Sequence, residues 1–238
     1  MTSKSGGVWS EGRSLGRLVI LAFIGVLLTA WPVEAAPAKV VFSGPSSSNA
    51  VALTFDDGWG IVQCRRIGDT LRANKVKATF FINAIYLSKQ PARWRSILRG
   101  MPVGNHTRSH LDLTELTAKT IAKEIRYNEA LHEKILGRRM LKLLRPPYGA
   151  YNQRVRRVAG RLGYQRLIIW NRSAADTSSA ATTRSIIRRT TGAAPGAIIL
   201  MHCGSAATAA ALPSIIRHYK RRGIRMTGLD TMLRLASS

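Results

Sequence analysis

Two adjacent carboxylates, Asp56 and Asp57, close the apolar run of "ALTFDDGW" (52–59) in a chain with 12 acidic residues against 37 lysines and arginines. Neighbouring negative charges repel, so such a pair asks for a cation nearby. Taken alone, an aspartate pair after a strand reads as a turn or a helix N-cap. His106 and His110, four apart in "GNHTRSH", lie on one face of a helical turn and so can hold one metal ion between them. Arg145 leads a rigid Pro-Pro turn in "LLRPPYG", Asp176 follows "LIIWN", and His202 closes "AIILMHC". Each also has an ordinary reading, as a surface arginine or a hydrogen-bonded core histidine. His132 and His218 stand beside basic residues inside helical patterns and are assigned to solvent.

The elements that would position these groups alternate along the chain. Strand patterns cover 50–56, 77–83, 102–105, 141–145, 164–170, 196–202 and 224–228; helical patterns cover 62–74, 91–99, 115–136, 152–162, 182–191 and 211–222. In the last helix Leu212, Ile215, Ile216 and Tyr219 keep the spacing of a core stripe. The strands are apolar without clean alternation, as expected when both faces are covered. Strand and helix in turn imply βαβ units and a mainly parallel sheet, either a barrel or a doubly wound layer. The unusual polar groups all follow strands, at five separate places. That is where a (β/α) barrel carries its active site.

At 238 residues, 45% hydrophobic and 21% charged, the chain is long enough for one domain with a sizeable core. Its formal charge of +25 suits an anionic partner or environment. Part of this is arginine-rich composition, since 27 of the 37 basic residues are Arg, but that does not explain the scarcity of acids. Lys4, Arg13 and Arg17 precede the uncharged run 18–31, and small residues follow at Val33 and Ala35. This is the order of a secretory signal over 1–35, with an uncleaved membrane anchor as the alternative. Without that leader the charge is still +24. An exported protein meets cell-wall polymer more than nucleic acid, so a secreted or wall-associated chain held by salt-screened attraction is expected. Residues 36–49 read as a Pro-, Gly- and Ser-rich linker, and the alternating strand and helix patterns of a single domain follow from 50 onward.

The order "TFDDG … NHTRSH … RPPYG … LMH" resembles the polysaccharide deacetylases with a NodB-homology domain, a family of carbohydrate esterases, over roughly 50–235. The resemblance implies a distorted (β/α) barrel and metal-dependent removal of acetyl groups from N-acetylated glycans. It implies Asp56 as general base, Asp57, His106 and His110 as metal ligands, Arg145 as brace of the base, and the Tyr148 backbone at the oxyanion. Leu200 would line the acetyl-methyl pocket and His202 would be the general acid. The family's fourth motif usually carries two acids followed by Trp, and here only Asp176 remains, followed by Thr177. Trp59 or Trp170 would then supply the missing aromatic, and Asp176 would orient either Arg145 or His202. The acid that often follows the fifth-motif histidine is Cys203 here.

Two imidazoles and a carboxylate suit one divalent cation, zinc first, with cobalt, nickel or manganese as alternatives. The substrate class is peptidoglycan or chitooligosaccharide; an O-acetyl xylan esterase using the same site and a non-catalytic glycan-binding homologue are the alternatives. A two-histidine, one-carboxylate iron oxygenase shares the ligand types, but it requires neither "RPPYG" nor a late histidine. No nucleic-acid recognition motif stands out, no protein partner is implied, and a monomer is expected. Cys64 and Cys203 are the only cysteines. In an exported protein whose first and late strands meet on barrel closure, they are expected to form a disulfide.

Overall fold

The apolar run that ends in the two aspartates is the centre of a parallel sheet. In the computed structural model, which describes residues 35–235 together with 1, 2, 4, 6 and 7, the strands are β1 (Lys39–Val41), β2 (Ala50–Asp57), β3 (Thr79–Ile82), β4 (Val103–Asn105), β5 (Leu143–Leu144), β6 (Arg166–Ile168), β7 (Arg172–Ser173), β8 (Ile198–His202) and β9 (Arg225–Met226). The helices are α1 (Ile61–Ala73), α2 (Ala84–Leu87), α3 (Pro91–Ile97), α4 (Ala118–Leu136), α5 (Gln153–Arg161), α6 (Thr183–Thr191), α7 (Ala206–Arg221) and α8 (Leu229–Met232). The expected leader, with its apolar run 18–31, lies almost wholly outside the described residues. Among those described, no helix is long and apolar enough to cross a membrane.

The spatial order is β1-β6-β5-β4-β3-β2-β8-β7, with β9 pairing β2, and every ladder is parallel. β6 and β7 lie toward opposite ends of this path, yet only residues 169–171 join them. So short a link spans roughly 14 Å at most, so the sheet must curl until its ends approach. The result is the distorted barrel expected from the motifs. Ala50, Ala52, Phe81, Leu143, Ile168 and Ile198 fill its interior, and Leu229 and Met232 of α8 pack against them. Phe81 leaves no room on the neighbouring strand: a Cβ at Gly104 would lie 2.3 Å from its ring.

Register aligns the strand ends. Asp57 faces Ile82, Ile82 faces Asn105, and Asn105 faces Leu144, while Asp56 stands opposite His202. A single row across the sheet therefore carries the residues that lead into the site.

Four expectations need correction. The segment 36–49 is not a free linker, because Lys39–Val41 pairs with β6, Ala38 is buried and Gly44 hydrogen-bonds to Gly196. The strand pattern 164–170 divides into β6 and a crossing to β7. Helix α7 begins at Ala206, ahead of the expected 211, because alanines favour helix without marking a periodic stripe. His132 is fully buried and donates from Nε2 to the Ile82 carbonyl at 2.9 Å, and His218 is half-buried, edge-on to Tyr219.

Candidate active site

Loops at the C-terminal ends of β2, β4, β5, β7 and β8 bring Asp56, Asp57, His106, His110, Arg145, Asp176 and His202 together. The backbone there is unusual: Asp57, Thr107, His110, Tyr148 and Ala175 all have positive φ without being glycine. Such conformations are sparsely populated and persist only where surrounding contacts impose them. The 106–110 loop shows those contacts. Asn83 donates to the His106 carbonyl, Thr107 N–H to Asn105 Oδ1, and Ser109 donates both its N–H and its hydroxyl to the Glu124 carboxylate.

Asp57 Oδ1 lies 3.3 Å from His106 Nε2 and 3.3 Å from His110 Nε2, and one ligand atom from each residue falls within 4.8 Å of the others. Asp57 Oδ1 is buried and makes no hydrogen bond. His106 Nδ1 donates to the Arg145 carbonyl at 2.7 Å. The carbonyl can only accept, so in the neutral ring Nε2 carries the lone pair and points it at the cluster. Burial opposes ionisation of Asp57, but the facing imidazoles outweigh it and hold its carboxyl below the usual range. Burial and His106 together lower His110, while Asp56 and Asp57 raise His106 against its own burial. An orphaned buried carboxylate oxygen between two imidazoles is a donor set that fits a divalent cation.

Asp56 faces another way. Its Oδ1 accepts from Arg145 Nη1 at 2.7 Å, and the same nitrogen reaches Thr54 Oγ1 at 2.8 Å. The fully buried guanidinium also packs over Phe81, at 4.3 Å. Asp56 Oδ2 is left toward the cluster, 3.8 Å from His106 Nε2. Asp176 goes to His202 and not to Arg145: its Oδ1 lies 2.8 Å from His202 Nδ1, and its Oδ2 accepts from the His202 N–H and the Thr208 hydroxyl. Burial lowers the His202 pKa, but the Asp176 hydrogen bond and the surrounding carboxylates raise it further, so the net shift is upward. His202 Nε2 is 3.9 Å from Asp57 Oδ2.

The remaining expected residues have these surroundings. Tyr148 is 68% exposed, with its ring edge-on to His110 at 4.6 Å. Leu200 is buried on β8. Trp59 is 42% exposed, its ring 5.5 Å from that of His202 and so close over Gly204 that a Cβ there would lie 2.3 Å away. Trp170 packs against Gly149 and sits 5.8 Å from the Arg145 guanidinium. Cys64, in the first turn of α1, is disulfide-bonded to Cys203, which follows β8. Sequence reasoning missed Thr54, Thr208, Asn83, Asn105 and Glu124. A threonine inside the apolar run "VALTF" was the one visible signal among them.

Residues 43–167 match the polysaccharide deacetylase signature. The chain is 28% identical to a peptidoglycan-N-acetylglucosamine deacetylase of Bacillus cereus, over 82% of this chain and 93% of that one. Its fold is similar to that of Bacillus subtilis PdaA, a family 4 carbohydrate esterase, with TM-score 0.77, 29% identity and coverage of 82% and 85% of the two chains. A family 4 pseudoenzyme from Bacillus anthracis is equally similar in fold, with TM-score 0.77, 25% identity and coverage of 84% and 70%.

Proposed function

Because this chain belongs to the polysaccharide deacetylase family, we propose that it removes acetyl groups from N-acetylglucosamine-containing polysaccharide, of the peptidoglycan or chitooligosaccharide type. Fold alone does not carry the activity, since a pseudoenzyme shares it. What carries the reading is the site: three convergent donor atoms, with Arg145-bound Asp56 3.8 Å from His106 and Asp176-bound His202 3.9 Å from Asp57.

Asp57, His106 and His110 would hold one divalent cation, with zinc the best match to two imidazoles and a carboxylate. When bound, that ion polarises the acetyl carbonyl and acidifies water at the site. Asp56, with Oδ1 held by Arg145, takes the proton of the attacking water through Oδ2. The Tyr148 backbone amide stabilises the developing oxyanion. His202, with Nδ1 held by Asp176, protonates the leaving amine from Nε2. Leu200 receives the acetyl methyl, Trp59 offers an apolar face to the sugar beside His202, and Trp170 supports Arg145 from behind.

Acetate released from N-acetylglucosamine oligomers and peptidoglycan fragments, against acetylxylan, tests the reading with saturating metal. Release from the N-acetylated glycans is expected. Release from acetylxylan alone would make the protein an O-acetyl esterase, and release from neither would make it a non-catalytic homologue. The basic, apolar and small-residue order at the N-terminus supports export to the wall, tested by fractionating cells and sequencing the mature N-terminus.

A further inference from the structure

The end of the barrel opposite the active site carries a second feature. A cavity of about 620 Å³ opens there, lined by Lys77, Met101, Pro102 and Leu141, which precede or flank the starts of β3, β4 and β5, together with Arg138, Arg139, Asp230 and Arg234. Two further cavities adjoin it. One shares Leu141 and Leu235 with the first and adds Lys142 and Arg166. The other, of about 600 Å³, is lined by both Arg166 and Arg234. Together they form a groove around the C-terminal segment, with six cations on its walls and, among the described residues, Asp230 as the one acid lining it.

Several of these cations are held in place without being neutralised. Arg138 donates to the Leu98 and Met101 carbonyls, Arg166 to the Leu233 carbonyl, and Lys77 to the Gly100 carbonyl. Backbone carbonyls orient a guanidinium while leaving its charge and its remaining donors available. Lys142 pairs with Glu129, and Arg139 approaches Glu133 only at 3.7 Å. By contrast, Arg72 on α1 is matched by Asp69 at 2.5 Å.

We propose that this groove binds a phosphodiester-linked polyanion, holding the protein on an anionic polymer while the opposite face works on glycan. Arginine supplies four of the six cations, and its planar fork matches phosphate oxygens with two parallel hydrogen bonds. A groove, as against a single pocket, suits a linear chain with repeated charge. This inference is independent of which acetylated glycan the active site takes.

The test compares two double variants with the same change in net charge. Arg139→Glu with Arg234→Glu alters the groove at side chains with no backbone hydrogen bond; Arg188→Glu with Arg189→Glu alters the exposed face of α6. Binding to a poly(glycerol phosphate) oligomer is measured at several salt concentrations, with thermal melting to verify folding and polygalacturonate as a carboxylate control. The groove pair should weaken phosphate-polymer binding by about tenfold or more and reduce the logarithmic salt slope by about 2, as expected when two phosphate contacts are lost. The α6 pair should weaken it by less than about twofold on the same electrostatic grounds. Equal loss in both pairs, no binding by the parent protein, or equal parent affinity for polygalacturonate would overturn the proposal.

Discussion

Asp56 and Asp57 are chemically identical neighbours that receive different surroundings. The backbone of Asp57 turns to φ 68 and aims its carboxylate at two imidazoles, while Asp56 keeps the strand direction and meets Arg145. Different tasks imply different mutants. Asp56→Asn should retain metal and lose about 10²- to 10⁴-fold in turnover, since an amide fills the space but accepts no proton; near-normal acetate release would overturn Asp56 as base. His106→Ala or His110→Ala should lose bound metal, measured by elemental analysis, with little change in melting temperature. Undiminished occupancy would rule out the ligand set. Asp176 raises the His202 pKa, so a protonated His202 persists to higher pH than it would alone. Activity that depends on that proton falls as pH rises through this pKa. In Asp176→Asn the falling limb of the kcat/KM profile should therefore move to lower pH, and an unmoved limb would remove His202 as the acid.

Helix α4 shows how an element can support a site without touching substrate. It runs from an N-cap at Thr117 to Gly137 in the left-handed conformation, and its inner face carries Glu124, Asn128 and His132. Glu124 anchors the 106–110 loop, Asn128 donates to Asn105, and His132 donates to the end of β3. Burial pushes the His132 pKa down to about 4. The native state therefore refuses a proton that the unfolded chain accepts below its ordinary value near 6.5. Stability from this source is fully present above that value and is lost as pH falls toward 4, by about 2 kcal/mol between pH 7 and pH 5. His132→Gln keeps an N–H for the Ile82 carbonyl but does not titrate. Urea unfolding at the two pH values should show the variant losing less stability than the parent over that interval; equal losses would contradict the buried neutral histidine.

On the scale of the whole molecule, the Cys64–Cys203 bridge spans 139 residues and ties the helix after β2 to the end of β8, the neighbouring strand. Closing a loop of that length restricts the unfolded chain strongly, so replacing both cysteines by alanine should cost about 2–5 kcal/mol. Denaturant midpoints of parent and variant measure this, and thiol labelling of unreduced protein should find no free cysteine. Labelling of both cysteines would refute the bridge. The same strands carry Asp56 and His202 opposite one another, so the bridge also fastens the rim beneath Trp59.

The amino-acid order alone carried the alternation of strand and helix, the parallel sheet, and the short motifs that follow strand ends, because these are local patterns of apolar period and turn chemistry. It located Asp56, Asp57, His106, His110, Arg145 and His202 for the same reason. Partnership was another matter. Whether Asp176 serves Arg145 or His202, where three residues of β1 pair, and whether His132 meets water or the Ile82 carbonyl depend on contacts between segments 26 to 127 residues apart. Sequence spacing says nothing about which distant groups meet, so those choices were made only when parallel register and barrel curvature set the strand ends side by side.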